Sequence, residues 1–196
     1  MAMVIDYFLS TSSPWTYLGS KEFTRMATAA NATVNVYPVS FQEIFPVSGG
    51  LPLPQRAPQR RAYRLMELSR WKQRRNSTMQ IQPENFPSSD PISAYAIVAA
   101  REAGADALTL SNAILAALWE DDRDIDDPNV VQAICDTCGL DGKAIMAAAG
   151  DPGTEKIFEE DTQKAIHRGI FGAPTYVIDD ELFWGQDRLD FVAEKL

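Results

Sequence analysis

The chain has 196 residues, 45% of them hydrophobic, which is enough for one large domain or for one domain with an insertion. Its 27 acidic residues outnumber its 18 basic ones, and the net charge of -9 argues against nucleic acid and anionic membrane surfaces as partners. No stretch approaches the roughly 20 apolar residues of a membrane span and no basic leader is visible, so we expect a cytoplasmic protein.

The first predicted element is a short buried strand over residues 4–9, followed by a turn into a helix at Ser13-Pro14. Proline is favoured at the first helical position, because its missing N–H would have no partner there. Ser13 is therefore predicted to be the N-cap of a helix over 14–29. One interpretation is a plain helix cap. The other is a site where the hydroxyl and the positive end of the helix dipole stabilise a thiolate or another anion.

The middle of the chain changes from strand to helix periodicity. Alternating residues predict a second strand over 33–39, and residues 46–58, rich in Pro and Gly, predict an irregular loop. Segments rich in alanine and leucine then predict six helices, over 58–75, 91–103, 108–120, 127–138, 141–149 and 154–168.

The first of these helices lies in a basic segment. Its only acidic residue is Glu67, and it holds eight of the 18 basic residues of the chain: Arg56, Arg60, Arg61, Arg64, Arg70, Lys72, Arg74 and Arg75. The segment is either a solvated helix face or a local attraction for anions in an otherwise acidic protein. Arginine suits the second role, because it holds carboxylates through two parallel hydrogen bonds.

Cys135 and Cys138 have the spacing of a redox pair, but they fall late in the predicted helix over 127–138, just before Gly139. A zinc site would need further Cys or His ligands, and His167 is the only histidine. We therefore interpret the two cysteines as ordinary, semi-buried residues of a helix.

The sequence predicts no metal site. A single histidine cannot form a multi-histidine centre, and His167 is placed at the end of a predicted helix, where it suits the dipole. The acidic run over 120–127 lacks the glycine and the glutamate that an EF-hand calcium loop needs. Asp126 or Asp127 is instead predicted to cap the next helix.

Near the C-terminus, Gly-Ala-Pro-Thr at 172–175 precedes two β-rich runs, 175–178 and 182–184, separated by a polar turn. This segment resembles the cis-proline loop and last hairpin of the thioredoxin fold. In that fold the residue before the proline, here Ala173, offers its backbone N–H and C=O to an extended cysteine-containing ligand.

Five segments in chain order carry a resemblance to one family. They are residues 13–18, 51–63, 67–71, 169–175 and 182–189, and together they span essentially the whole chain. The chain resembles the 2-hydroxychromene-2-carboxylate isomerases. These isomerases belong to a larger group that also includes the kappa-class glutathione transferases and the periplasmic disulfide oxidoreductases.

The resemblance implies an α/β fold with a thioredoxin-like core, strand-helix-strand and then strand-strand-helix, interrupted by a large all-α insertion. The core would comprise residues 1–45 and 166–196, the insertion residues 46–165, and the ligand cleft would lie between them. It also implies a homodimer.

The resemblance implies a cis–trans isomerase that acts on 2-hydroxychromene-2-carboxylate or a similar aromatic keto-acid, in aromatic hydrocarbon catabolism. Glutathione would be the cofactor, and Ser13 would be the catalytic residue that activates its thiol. The implied glutathione site comprises Ser13, Arg60, Ala173, Pro174, Gln186 and Asp187. Trp15, Tyr63 and Phe86 are the implied contacts of a small aromatic acid substrate.

The resemblance leaves other functions open. A kappa-like glutathione transferase would share the thiolate site, and the two differ only in whether an electrophile keeps the glutathione. A thiol–disulfide oxidoreductase would need an attacking thiolate, and Ser13 cannot form a mixed disulfide. The sequence also departs from kappa-class enzymes at Gly49-Gly50, where they carry an asparagine.

Overall fold

Four short strands rich in aromatic and branched residues pair into one sheet. The computed structural model describes residues 3–88 and 91–196. The strands are β1 (Val4–Leu9), β2 (Thr33–Pro38), β3 (Thr175–Ile178) and β4 (Glu181–Trp184). Their order is β2-β1-β3-β4; β1 and β2 are parallel, and the other two pairings are antiparallel. The predicted α/β fold class is confirmed.

Nine α-helices complete the described part of the chain. They are α1 (Pro14–Ala29), α2 (Phe41–Ser48), α3 (Pro58–Arg74), α4 (Ile92–Glu102), α5 (Ala107–Trp119), α6 (Pro128–Thr137), α7 (Gly142–Ala149), α8 (Pro152–His167) and α9 (Leu189–Lys195). Two short 3-10 helices, Leu53–Gln55 and Gln186–Arg188, precede α3 and α9. None of the helices described here is both long and apolar enough to cross a membrane.

The helix α2 corrects the sequence prediction of an irregular loop from residue 46 onward. It contains Pro46 and ends at Gly49, whose φ of 77° is the left-handed conformation typical of a helix end. The missing N–H of Pro46 removes a hydrogen bond from the last turns, which is why the pattern indicates a loop. Burial of Ile44, which is fully inaccessible, holds the helix in place.

The polar turn predicted between the last two strands is present. Asp179 and Asp180 have φ values of 49° and 64° and form a two-residue hairpin connection, with Ile178 opposite Glu181. Two successive left-handed residues match the right-handed twist of the strands, and aspartate tolerates this conformation better than most residues.

The sheet is covered on both faces because its strands alternate their apolar side chains. On one face, Tyr7 and Tyr176 stack at 5.3 Å, and Phe23 of α1 lies 4.7 Å and 4.5 Å from their ring centroids. On the other face, Phe8 packs in a separate cluster that includes Ala165 of α8. The result is a sandwich with α1 on one side of the sheet and α2 and α8 on the other.

The helices between α3 and α8 extend the first of these clusters away from the sheet, around the fully buried Trp119. The α4 helix joins them to the rest: Arg101 donates to the carbonyl oxygen of Val36 in β2 at 2.9 Å and pairs with Asp161 of α8 at 2.7 Å. The division into a core and an insertion at residue 45/46 stays a prediction, and this boundary falls within α2.

Candidate functional site

Three of the segments predicted to bind glutathione leave the sheet at the same edge. Phe8, near the end of β1, pairs with Thr175 at the start of β3, and Thr175 pairs with Trp184 at the end of β4. Ser13 lies just beyond this end of β1, and Ala173 lies just before this end of β3. The 3-10 helix Gln186–Arg188 follows the same end of β4.

Ser13 caps α1, as predicted. Its backbone is extended (φ -76°, ψ 122°), its Oγ accepts a hydrogen bond from the backbone N–H of Thr16 at 3.2 Å, and Pro14 occupies the first turn. Among the described residues the Ser13 hydroxyl hydrogen has no acceptor, and the backbone N–H of Trp15 has no partner. Two donors at the positive end of a helix are therefore available to an anion.

The loop before β3 leaves one peptide unengaged. The Ala173–Pro174 bond is cis, as the resemblance to the thioredoxin fold implies. The loop is anchored by the Pro174 carbonyl, which accepts from the N–H of Gly185 at 2.9 Å, and by the Thr175 hydroxyl, which donates to the carbonyl of Gly172 at 2.7 Å. Within the described chain the N–H and C=O of Ala173 have no hydrogen-bond partner. They are free to pair with an extended peptide.

Gln186 and Asp187 differ in exposure and in their hydrogen-bond partners. Gln186 is only 2% exposed, and its Oε1 accepts from Nε of Arg75 at 3.2 Å and from Nη2 at 3.1 Å. The side-chain oxygen of Gln186 is thus already engaged by Arg75. Asp187 is exposed; its Oδ2 accepts from Arg188 at 2.7 Å. Its carboxylate borders a depression of about 110 Å³ lined by Trp71, Arg74, Arg75, Gln186, Asp187, Leu189 and Asp190.

The helix α1 lies directly against the segment that carries Asp187. A Cβ on Gly19 would stand 2.8 Å from Cβ of Gln186 and 3.0 Å from the hydroxyl of Tyr176. Only glycine permits this approach. The position of the Asp187 segment is therefore fixed relative to the helix that Ser13 caps.

Arg60 and Tyr63 both lie on exposed positions in the first half of α3, and Tyr63 is 53% exposed. The guanidinium of Arg70, which also pairs with Glu67, lies 5.8 Å from the centroid of the Tyr63 ring. No contact ties Arg60 or Tyr63 to Ser13 in the part of the chain that is described. Their roles in binding stay predictions.

Phe86 and Trp15 are both partly buried. The Phe86 ring lies 5.1 Å from the ring of the buried Trp119, and the guanidinium of Arg64 lies 5.2 Å above it. Trp15, in the first turn of α1, packs against the main core. The structure therefore brings Phe86 together with Arg64, whereas Tyr63 contacts a different arginine.

Two features of this region go beyond the sequence analysis. Trp184, 51% exposed, covers Gly172 so closely that a Cβ there would lie 2.2 Å from its Nε1. The alternation of inward and outward side chains along β4 could have predicted that Trp184 points outward. Arg75 holds Gln186 across 111 residues of sequence, and no local pattern indicates that contact.

The remaining predicted features have structural roles. Both cysteines are free, and burial raises the pKa of the Cys135 thiol to about 11, which favours the neutral form. The interpretation as ordinary helix cysteines is confirmed. His167 is the last residue of α8 and is exposed. Asp127, the second of the two candidates, caps α6 by accepting from the N–H of Asn129 at 2.8 Å.

Comparison with known proteins places the chain in a family. The family model that matches residues 4–196 is the DSBA-like thioredoxin domain. A 2-hydroxychromene-2-carboxylate isomerase of Sphingobium xenophagum is 26% identical over 198 residues, covering 100% of this chain and 99% of that protein. One of Pseudomonas putida is 23% identical over 188 residues, covering 95% and 91%.

A solved structure of 2-hydroxychromene-2-carboxylate isomerase (HCCA isomerase) superposes with a TM-score of 0.83 at 22% identity. It covers 98% of this chain and 94% of that one. The resemblance that the sequence motifs indicate is thereby confirmed, and the chain belongs to the family of DSBA-like thioredoxin domains.

Proposed function

We propose that the protein is a glutathione-dependent cis–trans isomerase for 2-hydroxychromene-2-carboxylate or a similar aromatic keto-acid. One observation carries the proposal: the Ser13 hydroxyl, with its hydrogen free to donate, caps α1 at the sheet edge where Ala173 has an unengaged peptide. The isomerases named among the relatives support the reaction class.

The residues present fit a glutathione molecule at this edge. The backbone of Ala173 would pair with its cysteine, as one strand pairs with another. Asp187 would accept a hydrogen bond from its ammonium group, and Gln186, held by Arg75, would position that aspartate. Arg60, at an exposed site on α3, would bind a carboxylate of the tripeptide.

Ser13 would stabilise the thiolate form. A free thiol has a pKa of about 8.5, so only a few per cent is ionised at neutral pH. Lowering the pKa by about two units requires about 2.7 kcal/mol. A charge-assisted hydrogen bond of roughly 1.5–3 kcal/mol and a helix terminus of up to about 2 kcal/mol are sufficient together.

Bound glutathione would supply a thiolate that can add reversibly to the conjugated, ring-opened substrate, so that the former double bond can rotate and the glutathione is regenerated. Ser13 would donate a hydrogen bond to the sulfur before the thiolate adds and again after it leaves, and would keep its own proton throughout. Trp15, Tyr63 and Phe86 would contact the aromatic ring. The reaction consumes neither an oxidant nor a reductant.

We propose a cytoplasmic homodimer in aromatic hydrocarbon catabolism, with a small aromatic acid as its partner and neither nucleic acid nor membrane. The excess of 27 acidic over 18 basic residues supports the exclusion of the polyanionic partners.

Two alternatives share the fold. A kappa-like glutathione transferase would use the same thiolate and release a conjugate. The second alternative is a thiol–disulfide oxidoreductase, an activity that other proteins with this kind of domain have. It is disfavoured here because Ser13 stands where an attacking thiol is needed and Cys135 is buried with a raised pKa.

The test is a comparison of two substrates. The purified protein is incubated with 2-hydroxychromene-2-carboxylate and, separately, with chlorodinitrobenzene, each with and without glutathione. We expect glutathione to stimulate isomerisation of the chromene, followed by absorbance, with no net loss of glutathione. Stoichiometric conversion of glutathione to a conjugate, without isomerisation, would assign the protein to the transferases. Efficient reduction of insulin disulfides would favour the oxidoreductases.

A further inference from the structure

Arg64 differs from the other partly buried arginines in its partners. Its side chain lies in the first half of α3, partly withdrawn from water, with its guanidinium 5.2 Å above the ring of Phe86. In the described part of the chain it forms no ion pair and no hydrogen bond. By contrast, Arg75 donates to Gln186 at three distances of 3.0–3.2 Å, and the partly buried Arg101 pairs with an aspartate at 2.7 Å.

An uncompensated guanidinium is costly to withdraw from water. Burial and, as the smaller cause, the positive charge of Arg56 together lower the pKa of Arg64 to about 10. Among the described residues, Arg56 donates a hydrogen bond only to the carbonyl oxygen of Leu51, at 2.8 Å. Two cationic groups with no acid between them form a local positive field in a chain whose net charge is -9.

Phe86 occupies one side of the Arg64 guanidinium, and the N–H edge of that group has no hydrogen-bond partner among the described residues. A guanidinium that lies over an aromatic face is held by the ring quadrupole, while its N–H donors point outward in its own plane. That edge matches a carboxylate, which it can bind through two parallel hydrogen bonds. Phe86 itself is supported by Trp119, 5.1 Å away.

The helix that carries Arg64 is tied near both ends to segments that follow strands of the sheet. Before its N-terminal end, Arg56 lies 6.0 Å from the ring of Phe45, in the helix that follows β2. Just past its other end, Arg75 contacts Gln186, which follows β4. Both strands end at the edge described above, and Arg64 lies between these two contacts along the chain.

We propose that Arg64, in cation–π contact with Phe86, binds the carboxylate of the aromatic acid substrate and determines the preference for acids over their neutral analogues. The identity of that substrate rests on the proposed function. The requirement for a planar aromatic anion rests on Arg64 and Phe86 alone.

The test compares Arg64→Gln with Arg61→Gln, a neighbouring arginine that is exposed on the same helix. We expect Arg64→Gln to raise KM for 2-hydroxychromene-2-carboxylate about 10- to 100-fold, the value of a charge-assisted hydrogen bond, and to leave KM for glutathione within about 2-fold. Wild type and Arg64→Gln should turn over the methyl ester of the substrate equally, and Arg61→Gln should behave as wild type.

A binding measurement separates this proposal from the function itself. The Kd of 2-naphthoate, with 2-naphthamide as the neutral control, is measured by titration for the same three proteins. We expect Arg64→Gln to weaken only the naphthoate, about 10-fold or more. If wild type binds naphthoate in this Arg64-dependent way but does not isomerise the chromene, the proposed function fails and the anion site stands.

Unchanged naphthoate binding in Arg64→Gln, or equal weakening by Arg61→Gln, would overturn the proposal. Circular dichroism establishes that each variant is folded. Arg64→Met, which keeps an unbranched apolar stem against Phe86, replaces the glutamine variant if that variant does not fold. The same loss of naphthoate binding is expected for it, and retention of wild-type affinity would also overturn the proposal.

Discussion

The guanidinium of Arg75 donates hydrogen bonds to both the side chain and the backbone of Gln186. Nη2 of Arg75 donates to the backbone oxygen at 3.0 Å and to Oε1 at 3.1 Å, and Nε donates to Oε1 at 3.2 Å. The bonds connect the end of the basic helix to the 3-10 helix that presents Asp187. Arg75 thus sets the position of Asp187 indirectly, because its three hydrogen bonds go to the neighbouring Gln186.

Replacing Arg75 with glutamine should therefore weaken glutathione binding. We expect KM for glutathione to rise about 10-fold, because the lost charge-assisted hydrogen bonds no longer hold the segment of Asp187. Turnover at saturating glutathione should stay within about 3-fold of wild type, as a positioning role requires. Arg74→Gln, at the exposed neighbouring position, is the control and should change neither value. A fall in turnover with an unchanged KM would contradict this role.

Gly19 provides a second, independent test of the same contact. In Gly19→Ala the new Cβ would meet Gln186 at 2.8 Å, so the segment must shift. We expect a loss of about 1–3 kcal/mol in the free energy of unfolding, together with weaker glutathione binding. Gly150→Ala is the matched control, because its nearest neighbour would be 3.6 Å away and its φ of -81° suits alanine. Urea unfolding and glutathione titration measure the two effects, and equal stability of the two variants would refute the packing argument.

The cysteines should be dispensable for catalysis. Their burial favours the neutral thiol, and they lie at the end of α6, so Cys135→Ala with Cys138→Ala should retain glutathione-dependent activity. In the wild type, labelling of Cys135 by a disulfide reagent should be far slower than labelling of a free thiol at the same pH. A folded but inactive double variant would support the oxidoreductase alternative instead.

Alkaline pH should destabilise the protein. In the unfolded chain a thiol has a pKa of about 8.5, whereas burial raises that of Cys135 to about 11. The contribution of the Cys135 thiol to the free energy of unfolding is therefore complete below about pH 8.5. It is lost as the pH rises toward 11, because the thiol loses its proton at lower pH in the unfolded chain than in the folded one. We expect the urea midpoint to fall across this window, and to fall less steeply in Cys135→Ala. A midpoint that stays level from pH 8 to 11 would contradict the assigned burial.

The sequence predicts the framework of the site well, because its signals are local. Ser13 before a proline and Ala173 before another each define a turn that neighbouring residues determine, and both are found as expected. The contacts that the sequence does not reveal are long-range. Arg75 reaches Gln186 across 111 residues, and Arg64 meets Phe86 only because the chain folds back after α3. Helix periodicity predicts the same helix for all the arginines of the basic segment, so it does not predict which of them is withdrawn from water.

The pKa of the thiol of bound glutathione is the most direct test of the central claim that Ser13 stabilises a thiolate. It is measured by ultraviolet titration of the complex, in wild type, in Ser13→Ala and in Ser12→Ala, the adjacent hydroxyl in the same turn. Loss of the cap costs about 1 kcal/mol of a total stability of roughly 5–15 kcal/mol, so Ser13→Ala should fold. We expect a pKa about two units below the free value in wild type and in Ser12→Ala, a rise of at least about one unit in Ser13→Ala, and turnover lower by one to two orders of magnitude there. An equal pKa in Ser13→Ala and wild type, with unchanged turnover at neutral pH, would remove Ser13 from the mechanism.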